Sequence, residues 1–192
     1  MKLSIAAVVI ILLALLVQVF RRAWSRRIPW RIRSARRALK TLRAIRGDYA
    51  NQQRFAYLRK LDPFVFEELV LLCFSERGLR VKRSPYTRDG GIDGTVWLND
   101  QRPVLVQSKR YARHIQAHHV REFAQLLARR HQAGVFVHTG RTGKASWQAS
   151  RQAELQMISG PRLQRLILGQ PMTLFNTALT HTVPQSDKKA PT

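Results

Sequence analysis

The apolar run Val104-Leu105-Val106 stops abruptly at Gln107-Ser108-Lys109. That junction limits the folds open to this chain more than any other feature. Consecutive β-favouring apolar residues demand a strand buried on both faces, and polar groups directly after it must reach a cleft or bind one another. Gln107 and Lys109 are two apart, so on a strand they project to the same face. A second segment, Asp89-Gly90-Gly91-Ile92-Asp93-Gly94, reads as a turn opening into a strand. Glycine permits positive φ, and Asp bonds to nearby backbone. If the two segments pair as neighbouring strands, the Asp93 carboxylate, the Gln107 amide oxygen and the Lys109 ammonium converge. Such a cluster can hold a divalent cation, orient a water and face a phosphate. Either segment alone is ordinary turn or strand-end chemistry; only the combination is informative. Asp89 reads as the turn residue.

The surrounding pattern supplies a framework for that pairing. Asp62 and Pro63 are an N-cap and a first-turn proline, opening a helix that runs through Phe74 and stops at Gly78. Residues 79–83, 92–98 and 103–109 read as strands, with a hairpin turn at Asn99-Asp100. Residues 118–132 show helical period through Val120, Phe123, Leu126 and Leu127, ending before Gly134. Residues 135–139 read as a buried strand, 144–156 as a helix, 157–158 as a short strand and 162–168 as a last helix. A helix, a three-stranded meander and a crossover helix into a further strand predict an α/β fold with a mixed sheet and helices on both faces.

Charge names the class of partner. The chain has 192 residues, with 34 Lys and Arg against 11 Asp and Glu. Residues 61–175 are basic in their own right, with 17 cations against 9 anions. A field of this sign suits nucleic acid or anionic lipid and says nothing about sequence specificity. Cys73 is the only cysteine, so an internal disulfide and a cysteine zinc site are excluded. His114 and His118 are four apart but lack a third ligand. The run Gly140-Arg141-Thr142-Gly143-Lys144-Ala145-Ser146 fails as a nucleotide phosphate loop, because Ala145 stands where Ser or Thr is needed. No nucleotide cofactor is expected.

The N-terminal part is of another kind. Leu3 to Phe20 is an 18-residue run interrupted only by Ser4 and Gln18. As a helix it spans about 27 Å, enough for a hydrocarbon core. No small-x-small cleavage pattern adjoins Phe20-Arg21-Arg22, so an anchor is expected rather than a cleaved signal. Between Arg21 and Arg46 stand 11 Lys or Arg and no acid. The excess of positive charge predicts an N-terminus outside and a body on the cytoplasmic side of a bacterial-type plasma membrane. Ile32, Ala35, Leu39, Leu42 and Ile45 fall at helical spacing, so residues 31–60 read as a basic helix. Contact of residues 21–46 with anionic lipid is favoured over a DNA-tracking arm, each charge contributing about 1 kcal/mol near the surface.

Together these residues resemble the Mrr-type branch of the PD-(D/E)xK restriction-endonuclease superfamily. The resemblance covers about residues 61–170. It rests on Phe66-Glu67, Asp89-Gly90-Gly91-Ile92-Asp93-Gly94, Val106-Gln107-Ser108-Lys109-Arg110-Tyr111, and Gly134-Val135-Phe136-Val137-His138-Thr139-Gly140 followed by Ala145. His138 replaces the family's usual Thr, and Gln107 stands where the wider superfamily has an acid, as is typical of this branch. The resemblance implies an αβββαβ core and divalent-metal-dependent hydrolysis of DNA phosphodiesters. It also implies site roles. Asp93 would be the direct metal ligand, with Gln107 and the Ser108 backbone carbonyl adding oxygens. Glu67 would approach from the first helix through water. Lys109 would orient or deprotonate the attacking water and balance phosphate charge. With Gln107 in place of an acid, Mg²⁺ binding should be weaker than in an all-acid site, with Mn²⁺ also accepted. Arg110, Tyr111 and Arg113 are candidates to grip the DNA backbone, against the alternative of a solvated basic loop.

The expected organisation is then a transmembrane anchor at 1–22, a basic juxtamembrane helix and linker at 23–60, the nuclease-like domain at 61–170, and a polar disordered tail at 171–192. Two other functions stay open: a catalytically weak or inactive module that tethers DNA at the membrane, and an anionic-lipid sensor. The target DNA, single- or double-strand cutting, and a homodimeric state are not fixed by the sequence.

Overall fold

A computed structural model describes residues 13, 15, 16, 18, 30–84, 91–99 and 101–179. The helices are α1 (30–44), α2 (Ala50–Leu58), α3 (Pro63–Ser75), α4 (Ala117–Arg130), α5 (Lys144–Ser150) and α6 (Gly160–Leu168). The strands are β1 (Arg80–Arg83), β2 (Gly94–Leu98), β3 (Arg102–Lys109), β4 (Ala133–His138), β5 (Leu155–Ile158), β6 (Met172–Leu174) and β7 (Thr177–Leu179). Strands β1 to β5 form one mixed sheet in sequence order. The first three pair antiparallel; β3, β4 and β5 run parallel. This is the α/β architecture expected from the pattern, with the meander, the crossover helix and the buried fourth strand where the periodicity puts them.

The sheet is filled from both sides because β3 and β4 are apolar on both faces. Val104, Val106, Val135 and Val137 belong to a core with α1, α3 and α6. Leu105 and Phe136 belong to a second core with α4 and α5. Helix α3 begins as its residues dictate: the Asp62 carboxylate accepts the Phe64 and Val65 amides at 2.9 and 3.3 Å, with Pro63 in the first turn.

Several boundaries differ from the expectations. Helix α4 is closed by His131 in the left-handed region (φ 50°), and Gly134 lies inside β4. A Cβ on Gly134 would stand 2.5 Å from Leu127 Cδ1, so the glycine is there to let α4 sit close on the sheet. Helix α5 ends at Ser150 and β5 starts at Leu155, both shorter or earlier than the period suggests. The polar tail expected from residue 171 begins instead with the β6–β7 hairpin, whose Met172, Leu174 and Leu179 are buried in the first core. Residues 180–192 lie outside the described residues.

The basic stretch before the domain is two helices, separated by a turn in which Gly47 has φ +94°. They are docked on the domain rather than standing off from it. Ala35, Ala38, Leu39, Leu42 and Leu58 are buried in the first core. Arg43 bonds Glu76 at 2.5 Å and the Ile167 carbonyl at 2.8 Å. Arg54 donates to the Leu42 carbonyl at 2.9 Å. Of the expected membrane span at 1–22, only Leu13, Leu15, Leu16 and Gln18 are described; they are helical and exposed. Among the described residues no helix is long and apolar enough to cross a membrane.

Candidate active site

The expected pairing is present. Strand β2 runs antiparallel to β3 with Gly94 opposite Val106. At this point the ladder changes: the Asp93 amide donates to the Val106 carbonyl at 2.9 Å. Two residues later on β3, the Ser108 amide donates to Asp93 Oδ2 at 2.5 Å. A side-chain carboxylate therefore takes the place of the next backbone acceptor and is fixed at the sheet's rim.

Gln107 is buried at 6% exposure. Its Nε2 lies against Gly91, where a Cβ would stand only 2.3 Å away; Gly91 has φ +82°. Its Oε1 is buried and has no hydrogen-bond partner among the described residues. Asp89 and Gly90 lie outside the described residues.

Glu67 comes from α3. Its neighbour Glu68 faces another way and is taken by Arg83, whose Nε lies 2.9 and 2.8 Å from the two Glu68 carboxylate oxygens. Among the described residues no ion pair within 4 Å holds Glu67, and its charge is felt at Asp93. Burial, chiefly, and then the Glu67 carboxylate hold the Asp93 carboxyl well above its ordinary range, against the Ser108 hydrogen bonds and the Lys109 ammonium. Burial likewise pushes Glu67 up to about 7, opposed by Arg31 and Lys109. Lys109 acts on both acids, so Glu67, Asp93 and Lys109 share one electrostatic neighbourhood.

Arg31 was not foreseen here. It lies on α1, is 5% exposed, and sets its Cζ 3.8 Å from the Phe64 ring centroid at the start of α3. Nothing in the sequence separates it from the other arginines of that stretch; only docking of α1 brings it to the Glu67 side of the sheet.

The loop after β3 is built rather than loose. Arg110 is exposed and donates to the Arg59 carbonyl. Tyr111 is half-buried: its amide donates to Thr139 Oγ1 at 2.9 Å, Thr139 donates back to its carbonyl at 2.8 Å, and its hydroxyl meets His119 Nδ1 at 2.6 Å. Burial pushes the Tyr111 phenol up to about 12. Arg113 is exposed. His114 forms an isolated bridge with Arg141, while the His118 and His119 rings lie 4.1 Å apart, tilted by 46°. Next to Lys109 in the sheet, His138 is fully buried and bonds Thr142 Oγ1 at 3.1 Å.

Two carboxylates raised by burial, and on the adjoining strand a buried amide oxygen without a hydrogen-bond partner among the described residues, supply oxygen donors, with the Lys109 ammonium as the neighbouring positive charge. That donor set fits a hard divalent cation, which takes carboxylate and carbonyl oxygens. Among the described residues no three His, Cys, Asp or Glu side chains gather as a metal cage; the third oxygen here belongs to an amide.

A mixed α/β sheet with an acid, an amide and a lysine at the rim of two adjacent strands defines a restriction-endonuclease-like domain. The family model described as restriction endonuclease (Mrr_cat) matches residues 58–167, and the chain belongs to that family. Its members are nucleases, and nucleases of this kind typically use divalent metal ions. Among solved structures, the chain is similar to the MspJI restriction endonuclease in complex with a 27-mer oligonucleotide, at 24% identity and a TM-score of 0.47. The match covers 63% of this chain and 32% of that one, so this chain spans about a third of that protein's length. No curated protein matches significantly.

Proposed function

We propose that this protein is an endodeoxyribonuclease that hydrolyses DNA phosphodiester bonds with Mg²⁺, Mn²⁺ being accepted in its place. The observation that carries the proposal is Gln107 Oε1, buried and without a hydrogen-bond partner among the described residues, on the strand paired with the one that Asp93 leads into, while burial makes the Asp93 and Glu67 carboxyls reluctant to ionise. Asp93, Gln107 Oε1 and the Ser108 carbonyl would hold the cation, with Glu67 reaching it through water. When bound, the ion supplies Lewis-acid charge for the phosphate and lowers the proton affinity of nearby water. The residues do the rest. The Ser108 amide holds the Asp93 carboxylate in one orientation. Lys109 lies where its charge acts on both acids; it positions the attacking water and balances the charge that builds on the phosphate. Arg110 and Arg113 grip the DNA backbone, and Tyr111 fixes the loop that carries them.

The proposal extends to location. The apolar stretch at 1–22 anchors the chain in a bacterial-type plasma membrane, with the nuclease domain on the cytoplasmic face. The exposed cations of α1, namely Arg33, Arg36, Arg37 and Lys40, meet anionic headgroups, while Arg31 and Arg43 are turned to the domain. Two copies acting together would give double-strand cuts.

The test is plasmid cleavage by the 192-residue chain. Nicking or cutting that requires Mg²⁺, and that is lost in Asp93→Ala and Lys109→Ala, supports the reading. Unchanged cutting in both variants would sink it. Salt-sensitive DNA binding without any metal-dependent cleavage would favour the DNA-tethering module instead.

A further inference from the structure

Beside the site, the loop after β3 and the loop after β4 are locked to each other. The Arg141 amide donates to the Arg113 carbonyl at 2.8 Å, and the Ile115 amide donates to the Arg141 carbonyl at 3.1 Å. Gly140 makes this approach possible, since a Cβ there would stand 2.6 Å from the Arg113 carbonyl oxygen and 2.9 Å from Tyr111 Cβ. The Thr139 hydroxyl closes the same joint through Tyr111. From the other side the end of α2 is tied in, the Arg59 carbonyl accepting from Arg110.

These three segments enclose a cleft of about 310 Å³, lined by Arg59, Ala112, Arg113, His114 and Arg141. One water needs only about 10–15 Å³ of such space, so the cleft has room for a phosphate with water around it. Three of the lining residues are arginines and one is a histidine, and among the described residues no Asp or Glu lines it. Like charges held together on hydrogen-bonded loops repel unless an anion sits between them. Arg59 Nε is buried and has no hydrogen-bond partner among the described residues. A cleft lined by three arginines is suited to an oxyanion that takes forked N–H donors.

We propose that this cleft is a phosphate-binding subsite that seats a DNA backbone phosphate next to the one cleaved. The proposal rests on the nuclease reading above. Its position supports it: Arg110 directly follows Lys109, and the loop after β4 leaves the sheet beside Lys109, since His138 is the register partner of Lys109. The cleft therefore opens at the same end of the sheet as the site. A concave cleft on rigid loops selects one phosphate, whereas a flat basic face spreads over a lipid surface. The subsite would set the strand's register over Asp93 and Lys109, a positioning role that carries no base information.

The experiment compares the 192-residue chain with Arg59→Gln, Arg141→Gln, Arg113→Gln and the Arg113→Gln/Arg141→Gln pair. Arg113 and Arg141 are exposed, so the pair should fold. Readouts are duplex-oligonucleotide affinity against salt, KM and kcat for plasmid cleavage, and binding to phosphatidylglycerol vesicles. Each substitution should weaken the duplex about tenfold and make the log–log salt slope shallower by about one. KM should carry most of the loss, and vesicle binding should not move. Wild-type affinity and slope in the folded double variant would overturn the subsite while leaving the nuclease reading intact. Loss of vesicle binding in place of duplex binding would also overturn it. A wild-type chain that neither binds nor cuts DNA would overturn both.

Discussion

The Ser108 backbone N–H donates to Asp93 Oδ2 at 2.5 Å. The contact ties the end of one strand to the end of its neighbour through a side chain. An uncharged isostere would keep much of this geometry and lose the charge. Asp93→Asn should therefore fold, with cleavage reduced by about a hundredfold or more, since Lewis-acid stabilisation by a metal contributes several kcal/mol. Calorimetric titration with Mn²⁺ checks the cause: uptake should fall with activity. Full Mn²⁺ affinity in Asp93→Asn would show that the carboxylate is not a ligand.

Gly91 is where the backbone makes room for Gln107. Gly91→Ala puts a methyl 2.3 Å from Gln107 Nε2 at a residue with φ +82°. Left-handed strain alone costs about 1–2 kcal/mol, and Gln107 must swing away. The expected outcome is a lower thermal midpoint together with weaker metal binding. Loss of stability with metal affinity intact would mean that Gln107 does not contribute an oxygen.

The adjacent acids of α3 should separate cleanly by phenotype. Glu67 is raised to about 7 mainly by burial, so its charge opposes folding wherever it is ionised. Glu67→Gln should abolish most cleavage yet raise the thermal midpoint in EDTA at pH 8. Glu68 is buried against Arg83, and Glu68→Gln should lower stability by about 1–3 kcal/mol, discounted because Arg83 is partly exposed. Its effect on cleavage should only follow its effect on folding. A destabilised Glu67→Gln protein would refute the assignment of roles.

Burial holds His138 down to about 4, from an ordinary 6.5. The unfolded chain then takes up this proton before the folded one does. The histidine's contribution to stability is complete above pH 6.5 and is lost as pH falls to 4, a change of about 3 kcal/mol. The raised acids Asp93 and Glu67 act in the opposite sense across much of this window. The difference between wild type and His138→Thr isolates the histidine: chemical denaturation should give curves that diverge between pH 6.5 and 4. Parallel curves would place the proton elsewhere.

Helix α1 is part of the domain's core. A chain starting at residue 61 would lose Leu39, Leu42 and Leu58 from that core and Arg31 from the flank of Glu67. It should express poorly or unfold at low denaturant. Leu42→Ala in the full chain should cost about 2–5 kcal/mol, read from the urea midpoint. A stable, active chain of residues 61–179 would show that the docking is incidental.

Much of this architecture is legible from residues alone where period and chemistry agree. Asp62-Pro63 fixed the start of α3, and Val104–Val106 with 135–137 marked the two central strands. Where signals were short, boundaries moved. Three-residue strands such as β6 and β7 carry too little period to be seen, and their turn uses Phe175 and Asn176 at φ 45° and 66°, which the sequence does not advertise. The helix ends before Gly134, as its period predicts, but the glycine itself lies in β4 and makes room for Leu127; a gap in side-chain volume and a turn look identical in one dimension.

By itself the sequence determined the composition of the site: an acid after a glycine turn, and an amide and a lysine two apart at the end of a buried strand. Alternation on a strand is local geometry, so that much can be read without the fold. Only the tertiary structure decided that Glu68 is held by Arg83, that Arg31 approaches from α1, and that Arg59, Arg113 and Arg141 share one cleft. Those outcomes depend on residues distant along the chain meeting through packing. Burial, which sets the proton affinities of Asp93 and Glu67, belongs to the assembled core and not to any segment of it.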